Sequence, residues 1–407
     1  MKKNIFFLIG IAISLCLTNC KEKPEVITSG ACGANGDHLT WQFTNGVLTI
    51  SGSGEMADYG HYTVPWAHLR EKIKTLIIEI GCTTIGTHAF ECCALTSIDI
   101  PNSVTCIGMD AFGSCLNVTY AKIGSSVTSD LRYSGIFDSN ELKIIDVNSN
   151  NPIYSSLEGI LYNKLQDTLM ACPRGKAETI IIPNSVKTIG NHAFIFCQLT
   201  SVEIPNSVID IGNSAFGGCF NLEKIEIPGS VILIGIESFG LCNSLTTIDV
   251  DVSNPNYSSD DGILYNKLQD VLMCCPGAKT ETITIPNTVE TIGFYAFSRC
   301  GKLTSVIIPN SVTYIEDGAF SYCTGLTSVT IGSAVSMIGR HSFKDCTGLK
   351  SITCNAPLPP AIIFGNEPEQ LSTFDGVPQT TPVYVPCDAV SVYKTSNWGK
   401  AFSKIEC

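Results

Sequence analysis

Charge is scarce in this chain of 407 residues, and basic charge is scarcer than acidic. Charged side chains make up 15% of it, with 25 Lys and Arg against 37 Asp and Glu. The net charge of −12 excludes the basic face that nucleic acid requires. It also excludes electrostatic docking on anionic lipid. Recognisable catalytic motifs are missing: there is no GxSxG, HExxH, P-loop or dinucleotide fingerprint. Paired CxxC motifs, which a structural metal site would use, are missing too. The sequence therefore predicts no enzyme, no cofactor and no metal. Apolar residues nonetheless reach 44%, too many for a disordered chain.

The one apolar run near the start, Ile5 to Leu17, is too short and too early for an ordinary spanning helix. It follows Lys2 and Lys3 and ends in Leu17-Thr18-Asn19-Cys20. This resembles a bacterial lipobox, which implies cleavage before Cys20 and its lipidation. Asn19 departs from the usual small residue, and the alternative is a plain secretory signal with Cys20 incidental. Polar residues from Lys21 to Gly30 read as a tether. Membrane contact is expected only through the lipid anchor.

A unit of about 23 residues fills most of what remains. LTSIDIPNSVTCIGMDAFGSC, from Leu95 to Cys115, returns as LTSVEIPNSVIDIGNSAFGGC from Leu199 to Cys219. It returns again as LTSVIIPNSVTYIEDGAFSYC from Leu303 to Cys323. A fixed period of this length means stacked coils, each burying its apolar face only against its neighbours. Leu95, Ile98 and Ile100 read as a short strand with its apolar positions inward. Pro101 ends it, since Pro cannot donate to a ladder. Strand starts fall at Ile73, Leu95, Val118, Leu142, Ala177, Leu199, Leu222, Leu245, Thr280, Leu303, Leu326 and Leu349, giving twelve coils.

Two coils are longer and carry one insert each. NPIYSSLEGILYNKLQDTLMACP runs from Asn151 to Pro173, and NPNYSSDDGILYNKLQDVLMCCP from Asn254 to Pro276. Each reads as a β-hairpin turned by KLQD that packs back on the stack. Their offset of 103 residues marks a duplicated four-coil block. Alternation around Asn45-Gly46 reads as a type I′ hairpin capping the N-terminal end.

The pattern LTSVxIPNSVxxIGxxAFxxC resembles the BspA-type leucine-rich repeat family. The opening CGANGDHLTWQFTNGVLTISGSG, Val64-Pro65-Trp66 and the ending VYVPCDAVSVYKTSNWGKAFSKI are similar to that family's caps. The resemblance implies a mainly-β or α/β leucine-rich-repeat solenoid with a parallel sheet, short second strands, hairpin inserts and terminal caps. The expected division is signal 1–20, tether 21–31, N-terminal cap 32–72, repeats 73–355 with inserts at 151–173 and 254–276, and C-terminal cap 356–407. It also implies a bacterial cell-surface or outer-membrane lipoprotein, alternatively secreted or periplasmic, that binds a host, matrix or microbial protein. A glycan- or nutrient-capture lipoprotein is the alternative. The third coil departs from the pattern, irregular from Asp130 to Ile136 and with Asn140 in place of the Cys.

Eight cysteines share one repeat position: Cys93, Cys115, Cys197, Cys219, Cys242, Cys300, Cys323 and Cys346. They read as a buried thiol ladder, since free Cys packs as a small hydrophobe. Cys387 and Cys407 lie outside it, and a bridge between them is expected in the end cap. His88, His192 and His341 share a position that other coils fill with Asp110, Ser214 or Tyr295, which reads as a solvated rim. On the strands, Asp99, Glu203, Glu226 and Asp249 fall between the last two apolar positions and should point outward. They are the candidate partner-binding residues. Glu203, Glu226 and Asp249 should stack on three neighbouring strands. Such an acidic stripe suits a positive partner or a cation; the preferred reading is a solvated face relieved by Lys224.

Overall fold

In a computed structural model, which describes residues 28–34, 36–362 and 372–407, the chain is a β-solenoid. The segment read as a signal, Cys20 and most of the segment read as a tether lie outside the described residues. All twelve expected strand positions are occupied, from Thr75–Ile78, Ser97–Asp99 and Tyr120–Ile123 through to Ser351–Cys354. Neighbouring strands pair in parallel, as Asp99↔Lys122↔Asp146 and Thr284↔Ile307↔Thr330↔Thr353 illustrate. Cap strands extend the stack at both ends. Val47–Gly52 pairs in parallel with Thr75–Ile78, and Val383–Tyr384 pairs with Ser351–Cys354. No helix among the described residues is long and apolar enough to cross a membrane.

Turn chemistry follows the sequence closely. Asn45 and Gly46 both have positive φ, at 50° and 87°, and join strands paired as Thr44↔Val47, as a two-residue type I′ loop requires. The repeated Ile-Gly marks close approach of coils: a Cβ on Gly212 would sit 2.6 Å from the Asn191 backbone nitrogen of the coil before. Each regular coil also holds two residues in the left-handed region, such as His192 at 61° and Phe196 at 59°. Side chains at these turns are varied because the backbone, rather than the side chain, is being selected.

Behind the strands, two columns run along the stack. Phe194, Phe216 and Phe239 stack with centroids 4.9 and 5.7 Å apart. Phe297, Phe320, Phe343 and Phe374 repeat this at 4.7, 5.1 and 5.3 Å. Trp66 of the N-terminal cap begins the same kind of column on Phe90, 5.7 Å away. The thiols form the second column. All eight ladder cysteines are buried, as expected. They also do something that packing alone does not require. Cys115, Cys219 and Cys242 each donate to the Phe carbonyl of the preceding coil at 3.1 Å, and Cys323 and Cys346 do so at 3.0 Å.

The inserts are more than hairpins. Each is a three-stranded antiparallel meander, Tyr154–Leu157, Ile160–Asn163 and Thr168–Ala171 in the first copy. Its last strand continues in parallel into the short second strands of the following coils, beginning with Thr188–Ile189. The middle strand is buried on both faces. Leu161 belongs to the core before it, while Ile160 and Tyr162 belong to the core after it. Leu264 against Ile263 and Tyr265 repeats the arrangement. The inserts are therefore septa that divide the interior into three cores. Buried Asn151 locks the first septum: its amide donates to the carbonyls of Gly124 and Val127, and its oxygen accepts from the backbone of Ile153 and Tyr154. Asn254 does the same with Pro228, Val231, Asn256 and Tyr257.

Three details refine the sequence reading. In the third coil it is Ser139, not Asn140, that takes the Cys position; Ser139 is buried and its hydroxyl donates to the Leu116 carbonyl at 2.8 Å. The irregular stretch is a 3-10 turn, Leu131–Tyr133, opened by Asp130, whose side chain accepts from the Arg132 backbone. The first strand, Ser29–Gly33, also starts inside the segment read as tether.

Candidate binding face

The parallel strands alternate sides, so alternate positions face out, two on most strands, as Ser97 with Asp99 and Lys224 with Glu226 illustrate. Asp99, Glu203 and Glu226 are exposed and Asp249 is half-buried. Asp99 meets Lys122 of the next strand at 3.5 Å. Beyond Lys122, Asp146 accepts from the Tyr120 hydroxyl at 2.9 Å.

The acidic stripe forms differently from its expected shape. Glu226 and Asp249 are ladder partners, but Glu203 is paired with Ile181 in a separate two-stranded piece. The hydrogen-bonded ladder is broken between Glu203 and Glu226, so the three carboxylates are not stacked on one ladder. Lys224 lies between the other two, 2.8 Å from Glu226 and 3.1 Å from Asp249. The Glu226 carboxylate first, then that of Asp249, holds the Lys224 ammonium above the usual lysine range. This is the relief by Lys224 that the sequence pointed to.

The longest uninterrupted stretch of the face lies nearer the C-terminus. Thr284, Ile307, Thr330, Thr353 and Tyr384 are in register on five paired strands, with Glu406 next. Ile307 and Tyr384 are 45% and 39% exposed there, apolar groups that packing does not claim. Read from the repeats alone, the column has no aromatic; the cap strand adds Tyr384.

Six copies of the BspA type leucine-rich repeat region match residues 67–163, 171–273 and 273–360, more than half of the chain. The chain belongs to that family. No curated protein matches it by sequence. Among solved structures it is similar to a leucine-rich cell surface protein from Faecalibacterium prausnitzii, with 25% identity, 94% of this chain and 95% of that one covered, and a TM-score of 0.50. A leucine-rich repeat protein from Eubacterium ventriosum matches at 24% identity over 86% of this chain and 95% of that one, with a TM-score of 0.49. The pneumococcal vaccine antigen PcpA matches at 19% identity over 91% and 97%, with a TM-score of 0.46.

In this BspA-type solenoid the shared histidine position is less uniform than its sequence suggests. His192 and His341 are exposed, as a rim position predicts. His88 is buried, because the cap loop carrying His61 lies over it. Periodicity pointed to a rim, and the covering residue comes from a segment with no repeat. The expected Cys387–Cys407 bridge is not formed: both are exposed free thiols. They are neighbours, and the Cys407 thiol is the main influence pushing the Cys387 thiol up.

Proposed function

We propose that this protein is a cell-surface binding protein that presents its strand face to a host, matrix or microbial protein. The in-register column Thr284, Ile307, Thr330, Thr353 and Tyr384 carries the reading. It places exposed apolar groups at fixed spacing among hydroxyls on a preformed sheet, and such a surface orders little on association. This column holds one aromatic, Tyr384, which favours a protein over a glycan, since a glycan would call for a line of rings. The name of the Faecalibacterium relative, a cell surface protein, supports the location. Lipidation of Cys20 would hold the solenoid there. Asp99, Glu203, Glu226 and Asp249 extend the same face as a polar flank.

The test is a binding screen of the chain from Lys21 onward against matrix proteins and a glycan array, repeated with Ile307→Thr plus Tyr384→Ser. Protein binding that the double substitution weakens at least tenfold supports the reading. Binding to glycans alone transfers it to the glycan-capture alternative. A companion variant, Glu203→Gln with Glu226→Gln and Asp249→Asn, reports whether the flank takes part.

A further inference from the structure

We propose that His61, His88 and Glu91 form a binding site for a zinc-class divalent cation that clasps the N-terminal cap to the first coils. One donor atom from each of the three lies within 4.8 Å of the others. The His61 Nδ1 is 3.0 and 3.1 Å from the two Glu91 carboxylate oxygens. The His88 Nδ1 is 3.4 Å from Glu91 Oε2. Zinc bonds of about 2.0–2.1 Å to nitrogen and oxygen set a tetrahedral edge of about 3.3–3.4 Å. The two histidine-to-carboxylate separations thus stand close to those a tetrahedral ion imposes, with the two imidazole nitrogens within 4.8 Å of each other. Two imidazoles and one carboxylate are also a donor set that zinc takes readily, leaving a fourth position for solvent on the exposed His61 side.

A second observation points the same way. The His88 Nδ1 is buried and has no hydrogen-bond partner, because its contact with Glu91 lacks the geometry of a bond. Buried polar nitrogens are ordinarily paired, and an unpaired one calls for an explanation. The side chains of His88 and Glu91 are only 11% and 12% exposed. The His61 and His88 rings lie against each other, centroids 3.9 Å apart and planes tilted by 42°, so two imidazoles converge on one carboxylate. Hydrogen bonding of Glu91 to His61 accounts for one imidazole; a shared ion accounts for both. The nearby Arg70, whose guanidinium sits 4.6 Å over the Tyr62 ring, opposes a cation, so micromolar rather than nanomolar affinity is expected.

The test is titration of the full, chelator-stripped chain with ZnCl2 by calorimetry, after exposed thiols are alkylated so that Cys106, Cys387 and Cys407 cannot contribute. One equivalent is expected to bind and raise the melting temperature. Calcium, which prefers many oxygens, is expected to give no such equivalent. His88→Asn suits the position because His88 has a positive φ of 54°, which Asn tolerates. It and Glu91→Gln should each weaken the zinc equivalent at least tenfold and remove the melting shift. His192→Asn, the same repeat position without the partners, should change neither. Circular dichroism checks that each variant is folded. Zinc binding unchanged in His88→Asn, no zinc equivalent in the alkylated protein, or equal loss in His192→Asn would each overturn the assignment.

Discussion

The Cys219 thiol donates a hydrogen bond to the Phe194 carbonyl one coil earlier, at 3.1 Å. The repeat thus selects cysteine as a donor that is also apolar enough to be buried. Cys219→Ala removes the sulfur and leaves that carbonyl with the Cys197 backbone N–H as its one remaining donor. The lost bond and the lost sulfur contacts together are expected to cost about 1–3 kcal/mol, read from urea unfolding. A loss below about 0.5 kcal/mol would mean that the sulfur contributes neither a bond nor packing to the column.

Asn254 faces two carbonyls with its amide and two backbone donors with its oxygen. Asn254→Asp keeps the shape but turns oxygen toward the carbonyls of Pro228 and Val231. It should destabilise by about 3 kcal/mol or more at pH 7, where the acid must either charge or bind a proton unfavourably. Protonation restores one donor, so the penalty should shrink near pH 4. Equal penalties at both pH values would remove this account.

Burial pushes the thiol of Cys82 up to about 11 and those of Cys32 and Cys93 up to about 12. Burial likewise lifts the Tyr162 and Tyr265 phenols above their usual range. A raised pKa contributes stability that is complete below the unfolded value and is lost as pH climbs through the folded one. The thiol contribution should therefore be constant up to about pH 8 and fall between about pH 9 and 12. Urea midpoints at pH 7.5 and 10.5 that agree would contradict it.

Thiol chemistry should be confined to few positions. Cys106, Cys387 and Cys407 are exposed, and Cys92 and Cys274 are half-buried. The exposed three should be alkylated first in the native protein, with the repeat ladder protected until unfolding. Mild oxidation should join Cys387 to Cys407, seen as a cross-linked peptide pair after digestion. Recovery of both as free thiols under conditions that oxidise exposed Cys106 would argue against that pairing.

The twelve strand positions were legible because a strict period carries its own register. The outward placement of Asp99, Glu203 and Glu226 followed from alternation alone. What the period could not report is what interrupts it. The run Gly159 to Asn163 reads as half of a hairpin, yet Leu161 and Tyr162 serve opposite cores. Ser139 was missed because the spacing from Cys to the next Leu varies between two and three residues. The break between Glu203 and Glu226 is set by the pairing of their strands, which the repeat spells alike, as VEIP and IEIP. His88 was read as rim because its partner His61 comes from the cap, outside any repeat.

The two septa also determine how the molecule yields to force. Each closes one core with a strand buried on both faces, so tension along the stack meets three blocks in series. A solenoid without partitions would peel coil by coil from an end. Here extension should proceed in a few large jumps, the block between the two septa, 103 residues long, releasing about 350 Å of chain. A stalk loaded by flow would behave as a row of fuses, shedding one block while the rest kept its grip.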